Sequence, residues 1–148
     1  MIHIDFRNEQ PTLPIDEARL RQAVELVLSR ASVEQAEISL AVVDDPAIHE
    51  LNRRYLNHDE PTDVLSFVLE AGAGWLEGEI IVSADTAAAS APRFGWTPEN
   101  ELLLYVIHGA LHLVGYDDLN PMARSEMRRQ ERACLAHFGL TPQYAEDA

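Results

Sequence analysis

The chain has 148 residues and a net charge of −14, with 25 acidic side chains against 11 basic ones, all of them arginine. Such a body repels nucleic acid unless positive charge is gathered locally, which argues against a general DNA or RNA binder. The single cysteine, Cys134, excludes an internal disulfide framework and fits a reducing compartment.

A domain of this length buries roughly 70% of its unfolded surface, so residues 1–148 are expected to fold as one domain. No repeat, low-complexity tract or Gly/Ser linker marks a boundary. Ile2, Ile4 and Phe6 alternate with His3 and Asp5, which predicts a short strand. From Ile15 to Ala31, Leu20, Val24, Val27 and Leu28 recur at helical spacing. Glu37 to Val43 reads as a strand. Asp45-Pro46 reads as the N-cap and first-turn proline of a helix reaching Tyr55. NHDEPTD is a polar loop, VLSFVLE a strand, AGAGW a turn and GEIIVS the partner strand. A helix through DTAAASA follows. Thr97-Pro98 opens a helix from Pro98 to Val114, stopped by Gly115, and Asn120-Pro121 opens a last helix that Gly139 ends. Interleaved helices and strands give an α/β or α+β class with a sheet of about four strands.

The segment MIHIDFRNEQ shows no charged-then-apolar signal pattern. The longest uncharged run, LLLYVIHGALHLVGY, has 15 residues and contains two histidines, so it reads as a buried helix and not a membrane span. A soluble cytoplasmic protein without a membrane partner is expected.

The stretch HGALHLVGYDD, His108 to Asp118, carries the chemistry. His108 and His112 stand at i and i+4, on one helix face and one turn apart. That separation lets two imidazoles meet one metal ion. Gly115 can take the left-handed conformation that turns the chain, and Asp118, three residues on, can then return to the histidine face. Three protein ligands leave a fourth position for water, as in catalytic zinc sites. Paired histidines inside an apolar helix also arise as ordinary core packing; the glycine and acid at these offsets favour metal. Gly109 stands where metalloproteases carry their general-base glutamate, so a peptidase lacks its proton acceptor.

Three segments together resemble the YbeY family, bacterial endoribonucleases and ribosomal RNA maturation factors. HGALHLVGYDD resembles the family's HGxLHLxGYDH; LNRRYLNHDEPTDVLSF, Leu51 to Phe67, resembles LNxxYRxxDxPTDVLSF; GEIIVS, Gly78 to Ser83, resembles GDIxIS. They stand in the family's order and cover most of residues 40–118. The resemblance implies an α+β fold: a small mixed sheet of about four strands, about five helices, and the HxxxH helix bordering a cleft. It implies a metal-dependent endoribonuclease that cuts single-stranded RNA, matures the 3′ end of 16S rRNA and serves ribosome quality control. The partners implied are rRNA in the small ribosomal subunit and a ribosomal protein or ribosome-assembly GTPase, with no DNA. His108 and His112 carry over as metal ligands, with one Zn²⁺ per chain. Thr62, Asp63 and Ser66 carry over as the strand motif lining the cleft. Asp117 matches the residue before the third ligand and is, by position, a candidate general base; an RNA 2′-hydroxyl could equally be the nucleophile.

Three departures stand out. The family's third histidine is Asp118 here. A carboxylate binds zinc at roughly 2.0–2.2 Å, but it leaves bound water less acidic and opens the site to Mn²⁺ or Fe²⁺. The alternative is that Asp118 stays off the metal. The family's Tyr-Arg is Tyr55-Leu56, and leucine cannot replace a bidentate guanidinium; His58 and Glu60 stand where relatives are often basic. Arg53 and Arg54, just upstream, are candidates to substitute, with Arg54 as a catalytic candidate, or are ordinary exposed helix residues. Last, Arg124, Arg128 and Arg132 form an i, i+4, i+8 stripe, with Arg129 beside it, that could track a phosphate backbone. Arg124 and Arg128 are the candidate substrate contacts, while Glu126 and Glu131 read as solvated charges on the same helix. Two rival functions remain: a ribosome-associated factor that has kept the fold and lost chemistry, and a non-haem iron enzyme with a two-histidine, one-carboxylate triad. The flanking motifs disfavour the second.

Overall fold

In the computed structural model, which describes residues 1–144, burial alternates along the central strand as a half-covered sheet requires. Ala36, Ile38, Leu40 and Val42 of β2 (Gln35–Val43) are buried on one face, while Gln35 and Glu37 on the other are exposed. Towards its end the strand is covered on both faces, because Ala41 and Val43 pack into a second, smaller cluster with Ile48, Leu65 and Ile81. That cluster lies under α2 (Asp45–Leu56). The larger core joins the first face to α1 (Glu17–Arg30), α4 (Pro98–Leu113) and α5 (Pro121–Ala136).

The sheet order is β1-β2-β4-β3, with β1 at Ile2–Asn8, β3 at Val64–Gly72 and β4 at Trp75–Ser83. β1 and β4 run parallel to β2, whereas β3 pairs antiparallel with β4, so the sheet is mixed and the class is α+β. A register shift between Val68 and Glu70 bulges edge strand β3. Helix α3 (Ala84–Ser90) and a 3₁₀ turn at Ala91–Phe94 connect β4 to α4. The sequence reading has no counterpart for that 3₁₀ turn. No helix of the described residues is long and apolar enough to cross a membrane.

Helix α4 buries eleven of its sixteen residues, as expected for a helix packed on most sides. Leu103, Val106 and Ile107 are fully enclosed, and each contributes about 1.5–3 kcal/mol of transfer free energy. At Gly109 the helix crosses the sheet closely. A Cβ there would lie 2.8 Å from Ile80 Cγ2 and 2.9 Å from Val64 Cγ2. A side chain larger than hydrogen has no room at that position.

Caps mark the helix starts: Asp16, Asp44, Ser83, Thr97 and Asn120 each accept a backbone N–H three residues on. The α2 cap is therefore Asp44, not Asp45. Asp45 sits inside the first turn, and its carboxylate accepts from the hydroxyls of Ser83 (2.5 Å) and Thr86 (2.7 Å), tying α2 to the start of α3. Helix α5 ends at Ala136, short of Gly139, which lies in the turn beyond it with φ +72°. β1 and β4 run longer than the alternation implied, because pairing with β2 continues through Asn8 and begins at Trp75.

Candidate metal centre

Helix α4 presents Tyr105, His108 and His112 at spacings of three and four, one stripe of a 3.6-residue helix. The two imidazoles converge: their Nε2 atoms lie 2.9 Å apart and the ring planes meet at 80°. Gly115, at φ +104°, then turns the chain, and the Tyr116 amide bonds back to the Leu111 carbonyl. The turn returns Asp118 to the histidines, with Oδ2 3.6 Å from His108 Nε2 and Oδ1 4.0 Å from His112 Nε2. The three ligand atoms lie within 4.8 Å of one another.

Glu131 stands behind this cluster. It comes from α5, is fully buried, and accepts from His108 Nδ1 at 2.5 Å. A proton held on Nδ1 leaves the Nε2 lone pair directed at the cluster, which is how a carboxylate partner prepares a histidine for a metal. The second oxygen of Glu131 accepts from Arg128 Nη1 at 3.0 Å and from the Tyr144 hydroxyl at 2.6 Å. Two imidazoles and a carboxylate, one imidazole with its Nδ1 turned to a buried carboxylate, fit a divalent cation that takes nitrogen and oxygen ligands.

Charge shapes the pair differently. Burial is the largest influence on His108 and opposes its charged form, yet the hydrogen bond and charge of Glu131, with Asp63 and Asp118, outweigh it and raise the pKa. Burial, reinforced by repulsion from His108, lowers that of His112. For Glu131 burial again opposes the charge, and the bonds from His108 and Tyr144 with the Arg128 charge reverse it, so its pKa falls.

A cleft of about 530 Å³ opens beside the cluster, lined by Thr62, Asp63, Arg93, Tyr105, His108, Asp118 and Arg128 among others. Thr62, Asp63 and Arg128 are thus brought to the metal cluster. Ser66 is not among the lining residues; its hydroxyl donates to the Gly109 carbonyl at 3.0 Å and holds β3 to α4. Asp117 is exposed and accepts the Leu119 amide at 3.2 Å. Arg53 forks onto Glu50 at 2.6 and 3.1 Å, Arg54 lies 3.9 Å from the same carboxylate, and neither lines the cleft. Arg124 is exposed on α5, also outside the lining. The arginine stripe is therefore divided: Arg128 and Arg132 pack over the Tyr144 ring, 4.1 and 5.0 Å from its centroid.

Glu131 corrects the sequence reading, which left it as a solvated charge. It falls on the buried stripe of α5 with Met127, Cys134 and Leu135, an apolar periodicity that could have revealed it. Tyr105, Arg93 and Tyr144 were also missed, and only the packing of α4, α5 and the following segment brings them to the cleft.

The fold and cluster define a class: a small α+β protein with an HxxxH-plus-carboxylate cluster whose three donor atoms have metal-ligand spacing. Within that class the chain belongs to the endoribonuclease YbeY family, whose model matches residues 5–139. It is 42% identical over 123 residues to the endoribonuclease YbeY of Rhodopirellula baltica, covering 82% of this chain and 63% of that protein's length. With that of Desulfitobacterium hafniense it shares 39% over 155 residues, covering 94% and 99%. A protein from Thermotoga maritima with a known solution structure superposes with a TM-score of 0.58 at 26% identity, covering 93% of this chain and 91% of that one.

Proposed function

We propose that residues 1–148 act as one endoribonuclease domain that cuts single-stranded RNA, using one Zn²⁺ held by His108, His112 and Asp118. Its place would be in 16S rRNA 3′-end maturation and ribosome quality control, in the cytoplasm. The observation that carries the reading is the convergence of three ligand atoms within 4.8 Å at the edge of an open cleft. The Asp118 carboxylate makes Mn²⁺ or Fe²⁺ admissible occupants as well.

When bound, such an ion supplies Lewis acidity towards a phosphoryl oxygen and acidifies water. The protein's own groups do the rest. Glu131 keeps His108 protonated at Nδ1, so Nε2 stays available. Arg128 and Arg93 line the cleft and are placed to meet phosphate charge, ahead of Arg53, Arg54 and Arg124, which lie outside it. Thr62 offers a hydroxyl to substrate. Asp63 is better placed than Asp117 to accept a proton, because it lines the cleft and its charge reaches His108. Ser66 serves the reaction indirectly by fixing the α4 backbone at Gly109. The net charge of −14 suits docking on a basic ribosomal protein or a ribosome-assembly GTPase.

A second reading, a ribosome-associated factor with weakened or lost chemistry, draws on Leu56: it is exposed where the resemblance expects arginine. One experiment separates the two. Metal content and cleavage of a single-stranded RNA are measured for wild type and His112→Ala. Loss of both supports the nuclease; cleavage that survives the substitution refutes it. Wild type that holds metal and cleaves nothing supports the second reading.

A further inference from the structure

The candidate centre does not end with its three ligands. Glu131 must keep a charge while fully buried, and it does so by dividing its oxygens. Oε2 serves His108; Oε1 serves Arg128 and Tyr144. Tyr144 follows α5 in the chain, is itself buried, and reaches Oε1 at 2.6 Å. Its ring also lies under the Arg128 guanidinium, 4.1 Å from the centroid.

We propose that Tyr144 is a positioning residue of the metal centre: its hydroxyl holds the Glu131 carboxylate where it aims His108 Nε2 at His112 and Asp118. Tyr144, beyond the end of α5, would thereby complete the site. The inference rests on the metal reading above and extends it.

The physical case is a competition for one carboxylate. Arg128 and Tyr144 both give Oε1 charge-assisted bonds, at 3.0 and 2.6 Å, but a guanidinium can engage two carboxylate oxygens where a hydroxyl holds one. Without the Tyr144 hydroxyl, Oε1 loses the shorter of its two bonds, and the carboxylate can turn towards Arg128 and weaken its bond to Nδ1 of His108. Tyr144 opposes this twice. Its short hydrogen bond pins Oε1 away from the imidazole, and its ring seats the guanidinium on the Oε1 side. A buried network of this kind is either fully satisfied or costly, so removing the hydroxyl is felt at the next bond along. Carboxylate partners of metal-binding histidines typically contribute 10–100-fold to metal affinity. Tyr144 acts one bond further out, so the expected loss is about tenfold, at the lower end of that range.

The test compares zinc affinity, by competition with a chromophoric chelator, for full-length wild type, Tyr144→Phe, Glu131→Gln and His112→Ala. Nitrogen-15 NMR of the metal-free proteins reads the His108 tautomer in parallel. Phenylalanine keeps the ring, so a packing role predicts no change in either readout. The expected result is that His112→Ala loses the site, Glu131→Gln weakens it more than Tyr144→Phe, and Tyr144→Phe weakens it while shifting the Nδ1–H signal of His108. Tyr144→Phe indistinguishable from wild type in both readouts, with His112→Ala deficient, overturns this proposal and leaves the metal reading standing. Wild type that takes up no zinc, or His112→Ala that binds as well as wild type, overturns the metal reading and this proposal with it.

Discussion

Replacing Gly109 by alanine sets helix propensity against packing, and the structure decides the sign. In an exposed helix interior, alanine is favoured over glycine by about 1 kcal/mol. At this position the added methyl would meet Ile80 Cγ2 at 2.8 Å, Val64 Cγ2 at 2.9 Å and Ser66 Oγ at 3.0 Å. Ile80 is fully buried in the sheet, so it has little room to retreat. Overpacking of this kind costs about 1–3 kcal/mol. The net effect is a destabilisation of up to about 2 kcal/mol, or as much as roughly 8 °C in Tm for a chain of this size. Because His108 is the neighbouring residue, any shift of the helix away from the sheet moves the metal ligands with it, so zinc affinity should fall as well. Calorimetry and urea unfolding of metal-free protein measure the first effect, and chelator competition the second. A Gly109→Ala protein more stable than wild type would refute the packing argument.

Asp118→Ala should abolish near-stoichiometric metal in protein purified without a tag; equal retention measured by elemental analysis would remove Asp118 from the site. Leu103→Ala, at a fully enclosed position in α4, should cost about 2–5 kcal/mol in urea unfolding, with a cost under 1 kcal/mol arguing that the core is looser than described. The pH dependence of metal-free protein should report the His108–Glu131 pair. Raised above its ordinary 6.5, His108 contributes stability that is full below that pH and is lost as pH rises through its folded pKa. Glu131, lowered from 4.5, contributes stability present above that value and lost as pH falls through its folded pKa. The stability gap between wild type and Glu131→Gln should therefore be widest between pH 4.5 and 6.5 and narrow on the alkaline side. A gap that stays constant with pH, followed by chemical denaturation in a chelator, would rule out that linkage.

Short-range geometry is legible in the order of the residues. Residue periods of two and 3.6, caps and breakers located the strands and helices, because each depends on hydrogen bonds within a few residues. The ligand candidates were legible for the same reason: His108, His112, Gly115 and Asp118 fall within eleven residues, and one helix turn plus one left-handed glycine bring them together. Which charges are buried and which residues share the cleft depends on packing between elements distant in the chain. Glu131 and Arg129 stand two apart on α5, yet one is fully enclosed under His108 and the other is exposed. Asp63 approaches His108 across 45 positions of sequence, and Tyr144 reaches Glu131 from beyond the helix end. Ser66, a motif residue of β3, donates to the Gly109 carbonyl 43 positions away and so ties the sheet to the helix. Burial and long-range pairing depend on how elements pack, and the same side chain becomes a solvated charge or the support of a metal site according to which neighbour covers it.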